Sequence, residues 1–295
     1  GNPAEYAESN VPLQPKYHLP INIGGVKEND FAMILGYPGR TNRWMPAKGI
    51  EQNIKYSYPA WVEGSKTAMD EMKKYMNQSD AINLIYASKY AQIANYWKNR
   101  QGMIDALTAQ GTVATKTAEE VKFDKWANKA ENKAKYGNVV LTINNYYGLT
   151  NEKSRHDNYL QQLLRSSAYG AVSRTLGKQL SSYANANEAS RKQMYDGIVS
   201  ASNEFFNSQY LPAEKAILIA ELNLYTKKSK GYAIAPMVDR LAQTNNNDFS
   251  AYVGEAFSHS VLTSPEKVKA FLDKPDAEVI ANDPLMLMSN DLINH

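Results

Sequence analysis

Apolar residues fall into two regimes along this chain, and the change between them comes near residue 56. Before it, short apolar runs are broken by proline and glycine, which predicts strands and turns. Val11-Pro-Leu-Gln-Pro15 excludes a helix, and Tyr17 to Gly25 carries short strand-like runs. Asp30 to Gly36 contains Phe-Ala-Met-Ile-Leu, a buried strand by length and flanking residues. Tyr37-Pro38-Gly39 has the residue types of a type II turn. Two or three strands cannot close a barrel, which suggests a stub severed from a larger β structure.

After Pro59 the apolar period becomes helical. Pro59 suits a first helical turn, and Met69, Met72 and Met76 share one face of that helix. A second helix is predicted from Asp80 to Gln110, bending near Gly102. Its apolar stripe runs through Ile82, Ile85, Tyr86, Tyr90, Ile93, Tyr96 and Trp97. Leu84, Ser88, Ala91 and Asn95 lie opposite; small residues permit close approach, so both faces are expected to be covered. Ala118 to Tyr136 reads as one charged, solvated helix with Phe123 and Trp126 as apolar contacts and Gly137 at its end. Val139-Val-Leu-Thr-Ile143 is ambiguous, with helix favoured by its neighbours. Long helices are then expected over Glu152–Ala186, Glu188–Gln209 and Pro212–Lys228, and shorter ones over Ala233–Thr244 and Phe249–Ser258. Ser264-Pro265-Glu266 opens another by its capping hydroxyl, proline and acid, and Asp283-Pro284 begins a last short segment. The fold class is therefore mainly α: a multi-helix domain over 57–295 attached to a β stub over 1–56.

Composition narrows the function. The chain has 295 residues, 43% of them hydrophobic, enough for a sizeable core without staples. Net charge is only +3 and no basic cluster stands out, which argues against a nucleic-acid partner. Cysteine is absent, so disulfides, thiolate zinc sites and cysteine nucleophiles are excluded together. No window reaches the roughly 20 apolar residues of a membrane span. The opening Gly1-Asn-Pro lacks signal-peptide order and reads as the edge of a longer polypeptide.

Chemistry-bearing motifs are few. His18, His156, His259 and His295 contain no pair at helical ligand spacing, and no cofactor or metal is expected. No serine sits in a nucleophile elbow, and the residues after Gly36 and Gly39 lack the lysine-serine ending of a phosphate loop. Glu119 and Glu120 are adjacent on a helix and cannot face one another as a catalytic pair. No catalytic residue is assigned. Asn95 stands apart, in Ala94-Asn-Tyr-Trp-Lys-Asn99. Its amide either accepts from a ligand ammonium or is satisfied by a neighbouring helix.

Asn2-Pro-Ala-Glu-Tyr6, Asn10-Val-Pro12, Leu19-Pro20, Gly36-Tyr-Pro-Gly-Arg-Thr-Asn-Arg43, Ala87-Ser-Lys-Tyr90 and Ala94-Asn-Tyr-Trp-Lys98 occur in an order that resembles one family. It is that of the bacterial dipeptidyl-peptidases 7 and 11, serine peptidase family 46, and the likeness is to their middle portion. Phe271-Leu272 and Asp283-Pro284 fit more weakly. The resemblance implies a chymotrypsin-like double barrel with a helical insertion between the catalytic Asp and Ser. This chain would hold the tail of the first barrel plus that insertion, without the catalytic His, Asp and Ser, and would be inactive alone.

The implied role is to cap the cleft and restrict the enzyme to dipeptides at free N-termini, with Asn95 helping to bind the substrate's α-amino group. Implied partners are the peptide N-terminus and the catalytic β-barrels of the same parent chain. Tyr96 and Trp97 are expected to pack, and Arg40 and Arg43 to serve structure at the domain junction. Export to the periplasm or outer surface of a Gram-negative bacterium is also implied. Oligomeric state is unreadable, a homodimer of the parent being compatible with the sequence. The competing readings are a stand-alone helical peptide- or glycan-binding module and a structural domain of another trypsin-like endopeptidase.

Overall fold

The computed structural model describes residues 7–33, 35–37, 39, 42, 44–229 and 231–295. It separates into two units, residues 1–43 and 44–295. Among the described residues of the first unit there is neither helix nor strand, and the expected β stub is not formed. The cause is physical: a strand exists through ladder bonds to a neighbour, and here the recorded backbone bonds are local turns, Asn10 N–H to Ala7 O and Asp30 N–H to Lys27 O. Phe31, Met33 and Leu35, expected in a buried strand, are exposed. Ile34, Pro38, Arg40 and Arg43 lie outside the described residues, so the type II turn and the roles expected of the two arginines do too.

The second unit is helical from Ala47, earlier than the expected boundary at 56. Helix α1 (Ala47–Gln52) runs through a π-helical turn (Asn53–Ser57) into α2 (Tyr58–Met76). Pro59 falls in the first turn of α2, as expected, although the helical path runs on through the π-helical turn before it. Proline has no N–H and crowds the preceding carbonyls, and widening to the i−5 pattern, with Tyr58 N–H on Asn53 O, accommodates it. The start at Ala47 is set from afar: the Glu120 carboxylate accepts the Ala47 N–H at 2.6 Å, a carboxylate at a helix N-terminus. Gln52 Nε2 donates to Tyr147 O and to Thr150, which ties α1 to α6.

Helix α3 (Asp80–Ala109) follows, capped by Ser79 and continuous through Gly102. It turns back at Gly111, whose φ of 60° suits glycine, into α4 (Thr112–Ala127). The single charged helix expected over 118–136 is broken at Asn128–Lys129 before α5 (Ala130–Tyr136). Asn128 Nδ2 bonds back to Asp124 O, and such local bonding ends helices. Phe123 and Trp126 stay partly exposed, the Trp126 ring tilted against both Phe123 and Tyr136.

The ambiguous Val139–Ile143 stretch is helical, the start of α6 (Val139–Ser166). That helix stops where a longer one was expected, and a turn and a 3-10 segment (Val172–Arg174) lead into α7 (Leu176–Ala184). Helices α8 (Glu188–Asn207) and α9 (Leu211–Lys228) keep close to their expected bounds. Helices α10 (Pro236–Thr244), α11 (Ser250–His259), α12 (Pro265–Asp273), α13 (Ala277–Ala281) and α14 (Pro284–Asn294) complete the unit. Ser264 caps α12 as expected, accepting from Lys267 N–H. Asp283 caps α14 in the same way, accepting from Leu285 N–H.

Two apolar clusters hold these helices. The larger joins α6, α7, α9 and α10–α14 around Leu163, Tyr169, Leu222 and Leu262, all fully buried. Tyr169 and Tyr183 donate their hydroxyls to the carbonyls of Leu262 and Leu272, which satisfies both buried groups. The smaller joins α2, α3 and the start of α9 through Met72, Met76, Tyr86 and Ile217. Tyr86 alone of α3's thirty residues is buried. The row Leu84, Ser88, Ala91 and Asn95, expected to be covered, is open.

Gly170 is held where a side chain has no room: a Cβ there would lie 2.4 Å from Leu163 O and 3.0 Å from Leu164 Cα. Gly170→Ala should destabilise by about 1–3 kcal/mol, because backbone must shift. Gly197→Ala in α8, where nothing lies within 4 Å, should be neutral or stabilise by up to about 1 kcal/mol. Urea denaturation of both variants checks the contrast, and equal effects would contradict it.

Candidate functional site

Where α2, α3 and α6 meet, a cleft of about 280 Å³ opens. Its walls are Trp61 and Ser65 of α2, Gln92 and Tyr96 of α3, and Gln162 and Arg165 of α6. The helical period explains the α3 wall: Lys89, Gln92, Ile93 and Tyr96 share one face. Trp61 meets Tyr96 edge to face, with ring centroids 6.2 Å apart. Ser65 donates to Gln162 at 3.0 Å and joins the other two walls.

A buried carboxylate lies beneath. Glu214 on α9 is fully buried and accepts from the Tyr86 hydroxyl at 2.9 Å, Lys89 Nζ at 3.2 Å and Ala168 N–H at 2.6 Å. Burial, with the Glu214 charge beside it, pushes the Tyr86 hydroxyl well up, so it stays protonated and donates. One residue thus ties α3, the turn after α6, and α9. A second buried acid, Glu221, lies two turns of α9 further on, near Ser166 at the cleft's edge. Burial raises its carboxyl well above the usual range, a hydrogen bond from Ser166 opposing the shift.

Asn95 sits on α3 next to the cleft-facing Tyr96 and outside the cleft lining itself. It is exposed, and among the described residues its amide has no recorded hydrogen-bond partner. Satisfaction by a neighbouring helix, the alternative left open by the sequence, is not seen. Tyr96 does more than pack, since it forms part of the cleft and remains 40% exposed. Trp97 is half-buried, with its indole nitrogen shut off from solvent and lacking an acceptor.

The histidines are scattered. His18 and His259 are exposed, while His156 is buried against Tyr225, Tyr232 and His295. Burial holds the His156 imidazole below its usual pKa. Among the described residues no group of three or more His, Asp or Glu could hold a metal. Glu119 pairs with Lys116 while Glu120 caps α1, so the two carboxylates act apart. Sequence reasoning missed Trp61, Gln162, Arg165 and Glu214, because they come from helices far apart in the chain. The one local hint was two carboxylates, Glu214 and Glu221, on the apolar face of an otherwise Leu- and Ile-rich helix.

The family described as Peptidase S46 matches residues 1–295. This chain belongs to the peptidase S46 family. It is 42% identical to "Dipeptidyl-peptidase 7" of Capnocytophaga gingivalis over 295 residues, all of this chain and 41% of that protein. It is 29% identical to an "Asp/Glu-specific dipeptidyl-peptidase" of Porphyromonas gingivalis, over all of this chain and 41% of that protein. The crystal structure of Porphyromonas endodontalis DPP11 in complex with the dipeptide Arg-Glu is similar with a TM-score of 0.78 at 25% identity. That match covers 99% of this chain and 42% of the other. The chain thus spans about two fifths of the length of the S46 relatives it matches. No described helix is long and apolar enough to cross a membrane.

A raised acid pKa has a definite pH signature. Unfolded glutamate titrates near 4.3, so Glu221 favours folding most below that pH, and stability falls as pH rises towards its folded pKa. Glu221→Gln, neutral at every pH, should match the wild type near pH 4 and exceed it in urea midpoint by a margin that grows as pH rises above the unfolded pKa towards the folded one. A pH-independent difference would show that the carboxyl is ionised inside the fold.

Proposed function

We propose that this chain is the helical, substrate-gating part of a dipeptidyl-peptidase that releases dipeptides from free peptide N-termini. Membership of the S46 family supports the class of reaction, since relatives named as dipeptidyl-peptidases match along the whole chain. The observation that carries the gating reading is Asn95. It presents an unpartnered amide on an open helix face, beside the Trp61–Tyr96 cleft.

The chemistry fits a charged amine. An amide oxygen accepts from an ammonium without adding a second formal charge to be desolvated. Hydrogen bonds to charged groups are worth more than neutral ones, about 1.5–3 kcal/mol each. Binding an α-ammonium at a fixed distance from the scissile bond sets how many residues are released, and an acetylated N-terminus would forfeit the contact.

In this reading the nucleophile and its base come from polypeptide outside the chain, as the family resemblance implies. Preference for the residue before the scissile bond is likewise assigned to that other polypeptide, because relatives of both names match along the whole of this portion. Export to the periplasm or outer surface belongs to the same proposal.

The test uses the parent enzyme and this chain together. The chain alone should release no dipeptide from chromogenic dipeptidyl substrates, and the parent should. Asn95→Ala in the parent should lower kcat/KM on free N-termini by about 1.5–3 kcal/mol, roughly 10- to 150-fold. Unchanged kcat/KM would remove Asn95 from the site, and dipeptide release by the chain alone would overturn the gating assignment.

A further inference from the structure

One ring in the cleft is flanked by two guanidinium groups. Arg165 Cζ lies 5.6 Å from the Trp61 ring centroid and 5.9 Å from that of Tyr96. Arg100 Cζ lies 5.6 Å from the same Trp61 centroid and 4.7 Å from Tyr58. The three helices supply one part each: Trp61 from α2, Arg100 from α3 and Arg165 from α6. Arg100 is half-buried and Arg165 exposed.

Neither arginine has a carboxylate. Among the described residues the one arginine in an ion pair with an acid is Arg155, and no recorded hydrogen bond starts from Arg100 or Arg165. Two like charges gathered on one indole repel, and the aromatic faces offset this only in part. The formal charges lining the cleft, Lys89 and Arg165, are both positive. The nearby acid Glu214 is already engaged by Lys89, Tyr86 and a backbone N–H. The Trp61 indole N–H is itself buried without an acceptor. With Lys89 engaged by Glu214, the Arg165 charge and the Trp61 N–H are what the lining offers without a partner among the described residues.

We propose that the Arg100–Trp61–Arg165 arrangement is a carboxylate-binding site for peptides. Guanidinium groups match a carboxylate through paired N–H donors, and stacking on Trp61, Tyr58 and Tyr96 pre-orients them. Pre-orientation lowers the entropy lost on binding. The cleft that Trp61 and Arg165 line, about 280 Å³, suits one side chain or chain end rather than a folded domain, and Arg100 reaches the Trp61 ring from outside that lining. The site rests on the peptidase reading for its choice of peptide, and it adds to the Asn95 amide a second anchor of opposite charge preference. The carboxylate has two sources with the same chemistry, an acidic side chain of the bound peptide or its free C-terminus.

Isothermal titration of the 295-residue chain separates these. Three N-acetylated pentapeptides serve as probes: one with two glutamates and an amidated end, its glutamine twin, and an all-alanine peptide with a free C-terminal carboxylate. Acetylation removes any amine contact with Asn95. A carboxylate peptide should bind at least about tenfold more tightly than the glutamine twin, and weaken as salt is raised. Binding of the glutamate peptide alone assigns the site to side chains; binding of the free-ended peptide alone assigns it to C-termini. Arg100→Gln and Arg165→Gln should each cost about tenfold with an unchanged melting temperature, and Arg165→Lys should recover only part. Equal binding of all three peptides, or variants that bind like wild type, would overturn the site. Dipeptide release by the parent is scored separately, so failure of the peptidase reading would leave this binding result standing.

Discussion

The arrangement of this unit turns on one buried carboxylate. Glu214 has no contact with water, yet it accepts from a phenol on α3, an ammonium on α3 and a backbone N–H just beyond α6. Burying an isolated carboxylate costs several kcal/mol, and only such a set of donors makes it tolerable. The requirement runs both ways. Because the charge must be satisfied, α3 and the α6 turn are held at fixed positions on α9. Because α3 buries only Tyr86 among its thirty residues, apolar packing alone would hold it weakly.

That constraint places the functional surface. The residues that grip Glu214, Tyr86 and Lys89, lie about one to four turns before Gln92, Asn95, Tyr96 and Arg100 on the same helix. A rigid helix runs from that contact to Asn95, so the position of the Asn95 amide relative to Trp61 and Arg165 depends on a contact at the base of the same cleft. Under the proposed gating role, the open row of Leu84, Ser88, Ala91 and Asn95 is a surface left for a ligand or for another part of the parent enzyme. A surface that receives a ligand or another part of the enzyme cannot be filled by its own unit.

Elements whose causes are local were legible in the sequence. The Met69–Met72–Met76 face, the bounds of α3, α8 and α9, and the Ser264 cap all follow from periodicity and from residues within one turn. Elements ended or begun by distant partners were not. Helix α1 begins under the Glu120 carboxylate, α6 stops where Glu214 takes the Ala168 N–H, and neither partner lies near in sequence. The π-helical turn before Pro59 shows the same limit: proline marked a boundary, while the structure absorbs it by widening the helix. The apolar runs before residue 37 read as strands because their composition suits pairing, but composition does not supply the neighbour. Asn95 was singled out from its motif and lies outside the cleft lining, whereas Trp61, Arg100 and Arg165 converge only once three helices are packed.

Hydrogen exchange on the Glu214→Gln variant tests the clasp most directly. If the carboxylate holds α3 on the body, amides of residues 82–100 and of the turn at 167–170 should lose protection together, by tenfold or more. Those of α11, α12 and α14 should exchange as in the wild type. Uniform loss across the unit, or protection of α3 left unchanged, would contradict the account.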